Sequence, residues 1–476
     1  MKKHFLRLLC LCAIMTATAT HAQLPDGQWW LGMLEEASLP LNLYTFAPNL
    51  ANGKPIPILF SPTQSKDEII PSSSSVNRDT IRLQVESLGI KMTLIFHAED
   101  TTLRGKFRQG MLVSDITFRP SDGLYTMHRP QEPQPPFIQT QQRYVLTHKD
   151  SRGEQINVGV TLTTPHCAIE LNVPCVLLIS GSGMQNRDEE IMGHKPFFVL
   201  ADYLARCGIA SLRYDDRGTG ESTGDVANVT TDLLADDAEW LFNWLRKQPS
   251  IDPKRVGIVG HSEGGTIAPI IASRNRNVAF IVMLAGPGVD GASILRQQNR
   301  DLFLAGGIDS SLVVIRDSFL KDCFDAIGKY KDSELDSLYK ALANNYSKGL
   351  SKADRKKIGL SAFEASQMAV QMKMPWMQRF IQLDPTPYLK KVKCPVLALN
   401  GSKDLQVSAA ENLAAITKSV KPKLLTSKQL DGLNHLFQHC DKGLPSEYML
   451  IEETFAPEAL EIIANWVRAQ TGQTLK

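Results

Sequence analysis

Gly260-His261-Ser262-Glu263-Gly264 follows the apolar run Val256-Gly257-Ile258-Val259 and leads into the small-residue stretch from Gly265 to Ala272. The order reads as a buried strand, a sharp turn and a helix. Such a turn holds its serine in a strained backbone conformation and lifts the hydroxyl clear of the sheet, open to a substrate. The flanking glycines then have a reason, because a side chain two positions either side would collide with the neighbouring strand or helix. Gly and Ser are common, however, and a surface turn can show the same pattern. The residues downstream of the turn decide between the two.

A hydroxyl is a poor nucleophile at neutral pH. It needs a base within hydrogen-bond reach and a third group to orient that base. Asp404 comes after Val396-Leu397-Ala398-Leu399-Asn400-Gly401, which places it just past the carboxyl end of a strand, on the sheet edge that carries Ser262. Asp431 is the rival acid, but it lies four residues before the histidine and could equally cap the local turn. His435 comes after the strand-like run Leu424 to Leu430 and the loop Asp431-Gly432-Leu433-Asn434. His439, four residues on, would suggest a metal if that stretch were helical. No further Cys, His or acidic set completes a site, so neither a metal nor a cofactor is expected.

The oxyanion of an acyl-transfer intermediate needs preorganised N–H donors. One expected donor is the backbone N–H of Glu263. The other comes from the glycine-rich loop Ser180-Gly181-Ser182-Gly183-Met184, with Ser182 and Gly183 both open as the donor. Asp215 to Ser222 contains a Gly-x-Gly, but the third glycine is displaced to Gly224, so a dinucleotide fingerprint fails. That stretch reads as a turn bracing the site. Asn186-Arg187-Asp188-Glu189 reads as a hydrogen-bonded loop near the site rather than an acid–base pair.

Outward from these residues, the chain has two textures. From about 23 to 128, Ile81, Leu83 and Val85, then Met92, Leu94 and Phe96, alternate with polar neighbours, which predicts antiparallel strands in a small sandwich or partial barrel. Pro130, Pro133, Pro135 and Pro136 among glutamines mark a stiff linker over 129–142. From 143 to 476, apolar strand candidates alternate with helical segments: Val176 to Ile179, Phe197 to Arg206, Ile209 to Arg213, Leu233 to Gln248, Val278 to Ala285 and Pro457 to Gln470. This predicts an α/β fold with a doubly wound, mostly parallel sheet. The alternation breaks between about 291 and 387, where the spacing turns helical, as a lid insertion would. Pro269 predicts a kink or a short helix after the turn, since it removes an internal hydrogen bond.

At 476 residues the chain has room for two or three units. Lys2, Lys3 and Arg7, the run Leu8 to Ala19 and Thr20-His21-Ala22 predict a cleaved export signal over 1–22. Cys10 and Cys12 each come directly after a leucine, which argues against lipid attachment. Without that segment the formal charge moves from +2 to −1, which gives no drive toward nucleic acid or anionic membrane. No later run is long and apolar enough to span a bilayer. Cys167, Cys175, Cys207, Cys323, Cys394 and Cys440 are dispersed; Cys175 and Cys394 read as small core residues, and any pairing stays open.

Gly181-Ser182-Gly183 with Asn186 to Glu189, Tyr214 to Ser222, His261 to Gly265, Gly401 to Val407 and Asn434-His435-Leu436-Phe437 together resemble the α/β-hydrolase superfamily, in its serine aminopeptidase-like branch. Within that branch the chain is similar to bacterial carboxylesterases of EstD type, which pair a β-rich N-terminal domain with a lidded hydrolase domain. The resemblance covers residues 143 to 470 by motif and the N-terminal part by architecture only. It implies a triad of Ser262, Asp404 and His435, the same residues the spacing selects.

Three functions are expected from these patterns. The first is an exported serine hydrolase cleaving small-molecule esters of short to medium acyl length. The second is a peptidase with the same triad, since the catalytic residues do not separate ester from amide. The third is a binding protein on a hydrolase scaffold. Met368, Met372, Met374, Trp376, Met377 and Phe380 concentrate adaptable apolar side chains in the insertion, and Met374, Trp376 and Phe380 are the candidates for an acyl pocket. Packing the lid onto the body is the plainer role for them. The oligomeric state stays open.

Overall fold

The computed structural model describes residues 24–25, 27–34, 39–48, 55–62, 67–110, 112–137, 139–166 and 172–472. The expected export signal over 1–22 and Cys167 lie outside the described residues. Between Thr126 and Met127 the chain divides into two compact units.

The first unit is built from β1 (Trp29–Leu34), β2 (Leu39–Pro48), β3 (Pro55–Phe60), β4 (Ser73–Asn77), β5 (Thr80–Val85), β6 (Ile90–His97), β7 (Thr102–Gln109) and β8 (Leu112–Ser121). They form one eight-stranded sheet in the order β3-β2-β1-β8-β7-β6-β5-β4. Every neighbouring pair with a described register is antiparallel. The period-two pattern explains the pairing: Ile81, Leu83 and Val85 are buried, as are Ile90, Met92 and Leu94, while residues between them reach solvent. Leu41, Leu43 and Leu59 from one end of the sheet share a core with Leu83, Met92 and Phe107 from the other. A single sheet curled round one core is the partial barrel, not the two-sheet sandwich, of the two expected forms.

The second unit holds β9 (Gln139–Lys149), β10 (Gln155–Pro165), β11 (Val173–Ile179), β12 (Ala210–Tyr214), β13 (Ile251–His261), β14 (Ile281–Leu284), β15 (Val396–Gly401) and β16 (Leu425–Leu430). Their order is β16-β15-β14-β13-β11-β12-β10-β9. β10 runs antiparallel to β9 and β12, and every pair from β12 across to β16 is parallel. This is the mixed, mostly parallel sheet of an α/β-hydrolase. β11 shows why it is covered on both sides. Cys175, Leu177 and Ile179 enter one core, with Leu241, Ile267 and Ile271 from the helices Thr231–Leu245 and Glu263–Arg274. Val176 and Leu178 enter the other, with Leu200, Leu204, Leu460 and Ile463 from the helices Pro196–Arg206 and Pro457–Thr471.

The expected linker needs correcting. Its last residues, from Gln139, already belong to β9. Its first residues are fastened to the second unit: the Arg129 guanidinium donates to the carbonyls of Met449 and Ile451 at 2.9 Å, and Gln131 Nε2 donates to that of Phe455 at 2.6 Å. Proline-rich composition here marks an extended segment held by side-chain bonds, not a free spacer.

Between β14 and β15 lie the helices Gly291–Ala305, Ser310–Asp325, Asp332–Tyr346, Lys352–Lys357, Ala362–Gln371 and Pro375–Gln382. Their starts are written locally. Asp290 accepts from Ser293 N–H at 3.0 Å, and Ser361 with Glu364 forms a reciprocal capping box. The insertion has its own core of Phe319, Cys323, Leu335, Tyr339, Met368 and Met372. Two of the methionines singled out in the sequence therefore pack the insertion against itself.

At the end of β13 the chain turns through Ser262 (φ 51°, ψ −116°) into the helix Glu263–Arg274, which continues past Pro269. A Cβ on Gly260 would sit 2.0 Å from the carbonyl oxygen of Gly264, and one on Gly264 would sit 2.2 Å from that of Ile179. Both obstacles are backbone, so neither can swing aside. Gly264→Ala is expected to cost about 2–3 kcal/mol, read as a fall in unfolding midpoint by urea titration; an unchanged midpoint contradicts this packing.

Candidate active site

Ser262 owes its position to the turn. Its own N–H donates to the Leu284 carbonyl at 2.9 Å, and its carbonyl accepts from Gly265 N–H at 2.8 Å. A non-glycine residue at positive φ is disfavoured and persists only where the surroundings fix it. Here β13, β14 and the following helix do so.

Asp404 lies just past the end of β15 and is buried. One carboxylate oxygen, Oδ1, accepts the N–H groups of Gln406 and Val407, both at 2.8 Å. The other, Oδ2, meets His435 Nδ1 at 2.8 Å. The acid is thus locked by its own loop while it orients the imidazole. His435 and Ser262 line one cavity of about 210 Å³. Asp431, the rival acid, instead accepts from the Ser402 hydroxyl at 3.0 Å. His439 lies at the surface and pairs with Glu453 at 2.9 Å and Glu458 at 3.0 Å.

Glu263 is the first residue of its helix, where a backbone N–H has no partner within the helix. Facing it, the loop after β11 presses against the serine: a Cβ on Gly181 would lie 3.1 Å from Ser262 Cβ. Gly181 N–H is already spent on Glu189 Oε1 at 2.6 Å. Ser182 lines the cavity, whereas Gly183 is not among its lining residues.

Trp376 and Phe380 also line the cavity and stack on one another, with ring centres 5.3 Å apart. They sit four positions apart on the helix Pro375–Gln382 and so share its inner face. Met374 precedes that helix, is half exposed and is not among the residues that line the cavity. The methionine-rich composition selects it, but the helical register excludes it. Ile294, Leu295 and Val407 add to the apolar side, and Gln185, Gln298 and Gln406 add uncharged polar groups.

Two features are not legible in the sequence. The Glu263 side chain is buried and accepts from the Thr231 hydroxyl at 2.6 Å and from Trp376 Nε1 at 2.9 Å. It ties the inserted helix to the elbow, and burial pushes its carboxyl above the ordinary range despite those bonds. His261 Nδ1 meets Glu189 Oε1 at 2.8 Å, and its Nε2 meets the main-chain carbonyl of His435 at 2.9 Å. The only sequence signals for that pair are a histidine inside the elbow motif and an acid in a loop that reads as structural.

The loop Asp215 to Ser222 does brace the site. Asp215 Oδ1 accepts from Arg187 Nε at 3.0 Å, and Asp216 Oδ2 accepts from the Ser180 hydroxyl and from Gln185 N–H, both at 3.1 Å. Burial, reinforced by the nearby carboxyls of Glu263 and Glu189, pushes Asp216 up to about 8. An acid that binds its proton more tightly in the fold than in the unfolded chain releases it on unfolding. Stability from this group is therefore greatest below about pH 4 and falls as pH rises toward 8, by on the order of 1 kcal/mol per pH unit. Asp216→Asn is expected to flatten that slope in urea titrations between pH 5 and 8; parallel pH profiles for the two proteins contradict the assignment.

With the geometry in place, the chain can be set beside known proteins. Residues 125–437 match the family model described as X-Pro dipeptidyl-peptidase (S15 family). Esterase EstD of Thermotoga maritima is 25% identical over 283 residues, covering 58% of this chain and 58% of that protein. A 31.7 kDa Escherichia coli protein from the traX-finO intergenic region is 23% identical over 274 residues, covering 56% of this chain and 84% of its own length. Among solved structures, a hypothetical protein of Pseudomonas aeruginosa, PA2218, aligns at 14% identity with a TM-score of 0.45, over 74% of this chain and 99% of that one. Since the family model spans well over half of the sequence, the chain belongs to the S15 family of hydrolases, within the α/β-hydrolase superfamily.

Proposed function

We propose that the protein is a serine hydrolase that cleaves carboxylic esters with uncharged acyl groups of short to medium length. The observation that carries this reading is Ser262 held at positive φ on the elbow, in one cavity with His435, whose Nδ1 is fixed by Asp404. His435 takes the proton from the Ser262 hydroxyl as it attacks the substrate carbonyl. Asp404 holds the imidazole in the tautomer that leaves Nε2 free to accept, and stabilises the imidazolium that forms. The N–H of Glu263 and that of Ser182 bind the developing oxyanion. His435 then protonates the leaving alcohol, and water, activated the same way, releases the acid.

The cavity wall supports the substrate class. Among the described residues no lysine or arginine lines it. Both carboxyls that reach it, Glu189 and Glu263, are engaged in hydrogen bonds to the protein. Trp376 and Phe380 bound the apolar end. A second reading, amide cleavage at a free peptide N-terminus, is favoured by the peptidase description of the family. It requires a carboxylate available to a substrate amine, and each cavity carboxylate already has partners. We also propose export, on the strength of the basic and apolar pattern over 1–22; N-terminal sequencing of the protein recovered from cell fractions checks it, and a chain still starting at Met1 contradicts it.

Ser262→Ala is expected to lower kcat for p-nitrophenyl acetate by about 10⁴-fold or more, with an unchanged circular dichroism spectrum. Retained turnover ends the assignment. Aminoacyl and X-Pro p-nitroanilides, run beside the esters, separate the two readings: faster amide than ester cleavage favours the peptidase. Trp376→Ala is expected to move the acyl-length optimum to longer chains, and an unchanged optimum removes Trp376 from the pocket.

A further inference from the structure

Four carboxyls are buried around Ser262: Glu189, Asp216, Glu263 and Asp404. Two of them, Asp216 and Glu263, bind their protons more tightly than ordinary carboxyls because they are buried. Among these groups lies His261, itself buried, with both ring nitrogens engaged. Its Nε2 faces the main-chain oxygen of His435, which can only accept, so Nε2 carries a proton. Its Nδ1 faces Glu189 Oε1, an atom already accepting the N–H of Gly181. A neutral imidazole has a single N–H, whereas two acceptors face this ring.

We propose that Glu189 and His261 form a buried carboxylate–imidazolium pair that positions the two moving parts of the reaction. Glu189 holds the oxyanion loop through Gly181, and His261 holds the proposed catalytic base through its main chain. The inference rests on the serine-hydrolase reading and deepens it, since neither residue touches the reacting atoms.

Three observations support the assignment. First, Gly181 is a narrow spacer. A Cβ there would meet Ser262 Cβ at 3.1 Å and Glu189 Oε1 at 3.3 Å, so a shift of Glu189 moves the loop against the nucleophile. Second, Glu189 sits at φ 52°, a conformation disfavoured for its residue type, and Asn186 pins the loop around it by accepting from the N–H groups of Asp188 and Glu190. Third, the surroundings favour the charge on His261. Burial opposes it, but the Glu189 carboxylate, the His435 carbonyl and the Asp404 carboxylate together raise its affinity for the proton above that of an ordinary histidine. The other ring against it is Phe437, which carries no charge.

The pair also lies directly against the ring of the proposed base. The His261 and His435 ring centres are 4.8 Å apart.

The experiment has two arms. In the unsubstituted protein, ¹⁵N spectra of the histidine side chains at pH 8 are expected to show one imidazole with both nitrogens protonated, a signal missing from His261→Asn. A spectrum in which His261 is neutral at that pH overturns the proposal, whether or not any variant folds. In the second arm, Glu189→Gln keeps the shape and removes the charge. It is expected to lower kcat for p-nitrophenyl acetate about tenfold or more and to leave KM within about twofold. Ser262→Ala is assayed alongside. If it is inactive while Glu189→Gln matches the unsubstituted protein in kcat, this inference fails alone. If Ser262→Ala stays active, the serine-hydrolase reading fails and takes the inference with it.

Discussion

The backbone approach at the turn after β13 governs the second unit. Where Gly260 meets the carbonyl of Gly264, and Gly264 meets that of Ile179, the separation leaves no space for a Cβ. That contact lets the helix Glu263–Arg274 start directly above the ends of β11 and β13. It also forces Ser262 into positive φ and brings the loop after β11 against the serine. The positions of the proposed nucleophile and of the proposed oxyanion loop are therefore consequences of one packing contact. The parallel register of β13 with β14 and of β14 with β15 then carries Asp404 to the same edge.

The cost of this arrangement is electrostatic. Charges taken out of water are tolerated when paired or neutralised, and the site gathers several carboxyls with two buried histidines, His261 and His435, among them. Three of the four carboxyls show separate solutions. Asp404 accepts two backbone N–H groups and the imidazole of His435. Asp216 keeps its proton through much of the neutral range. Glu263 takes a hydroxyl and an indole N–H, and through that indole fixes the inserted helix. The inserted helix is thus held by polar bonds at its cavity end and by the insertion's own apolar core elsewhere.

Legibility in the sequence tracks the range of the interactions. β11 is legible because seven consecutive positions, buried on both faces and nearly all apolar, leave one assignment for a strand between helices. The elbow, Asp404 and His435 are legible because each sits at a strand end that local patterning locates. The Glu189–His261 contact is not, because it joins residues 72 positions apart through a loop with no periodicity. Met374 is misplaced by composition, which flags a cluster, while register decides which of its members turn inward. The linker reads too long because β9 is largely exposed, and glutamines on a wet strand look like glutamines in a spacer. Curl in the first unit is undetermined by the pattern, because alternation fixes which face is buried, not whether one sheet or two bury it.

Covalent capture reads the reactivity of Ser262 itself. The protein is treated with a fluorophosphonate, digested, and the modified peptide mapped by mass spectrometry. A single phosphonyl adduct on Ser262 is expected, formed rapidly in the unsubstituted protein and far more slowly in His435→Ala. Labelling at another residue, or labelling of Ser262 at an undiminished rate without His435, contradicts it.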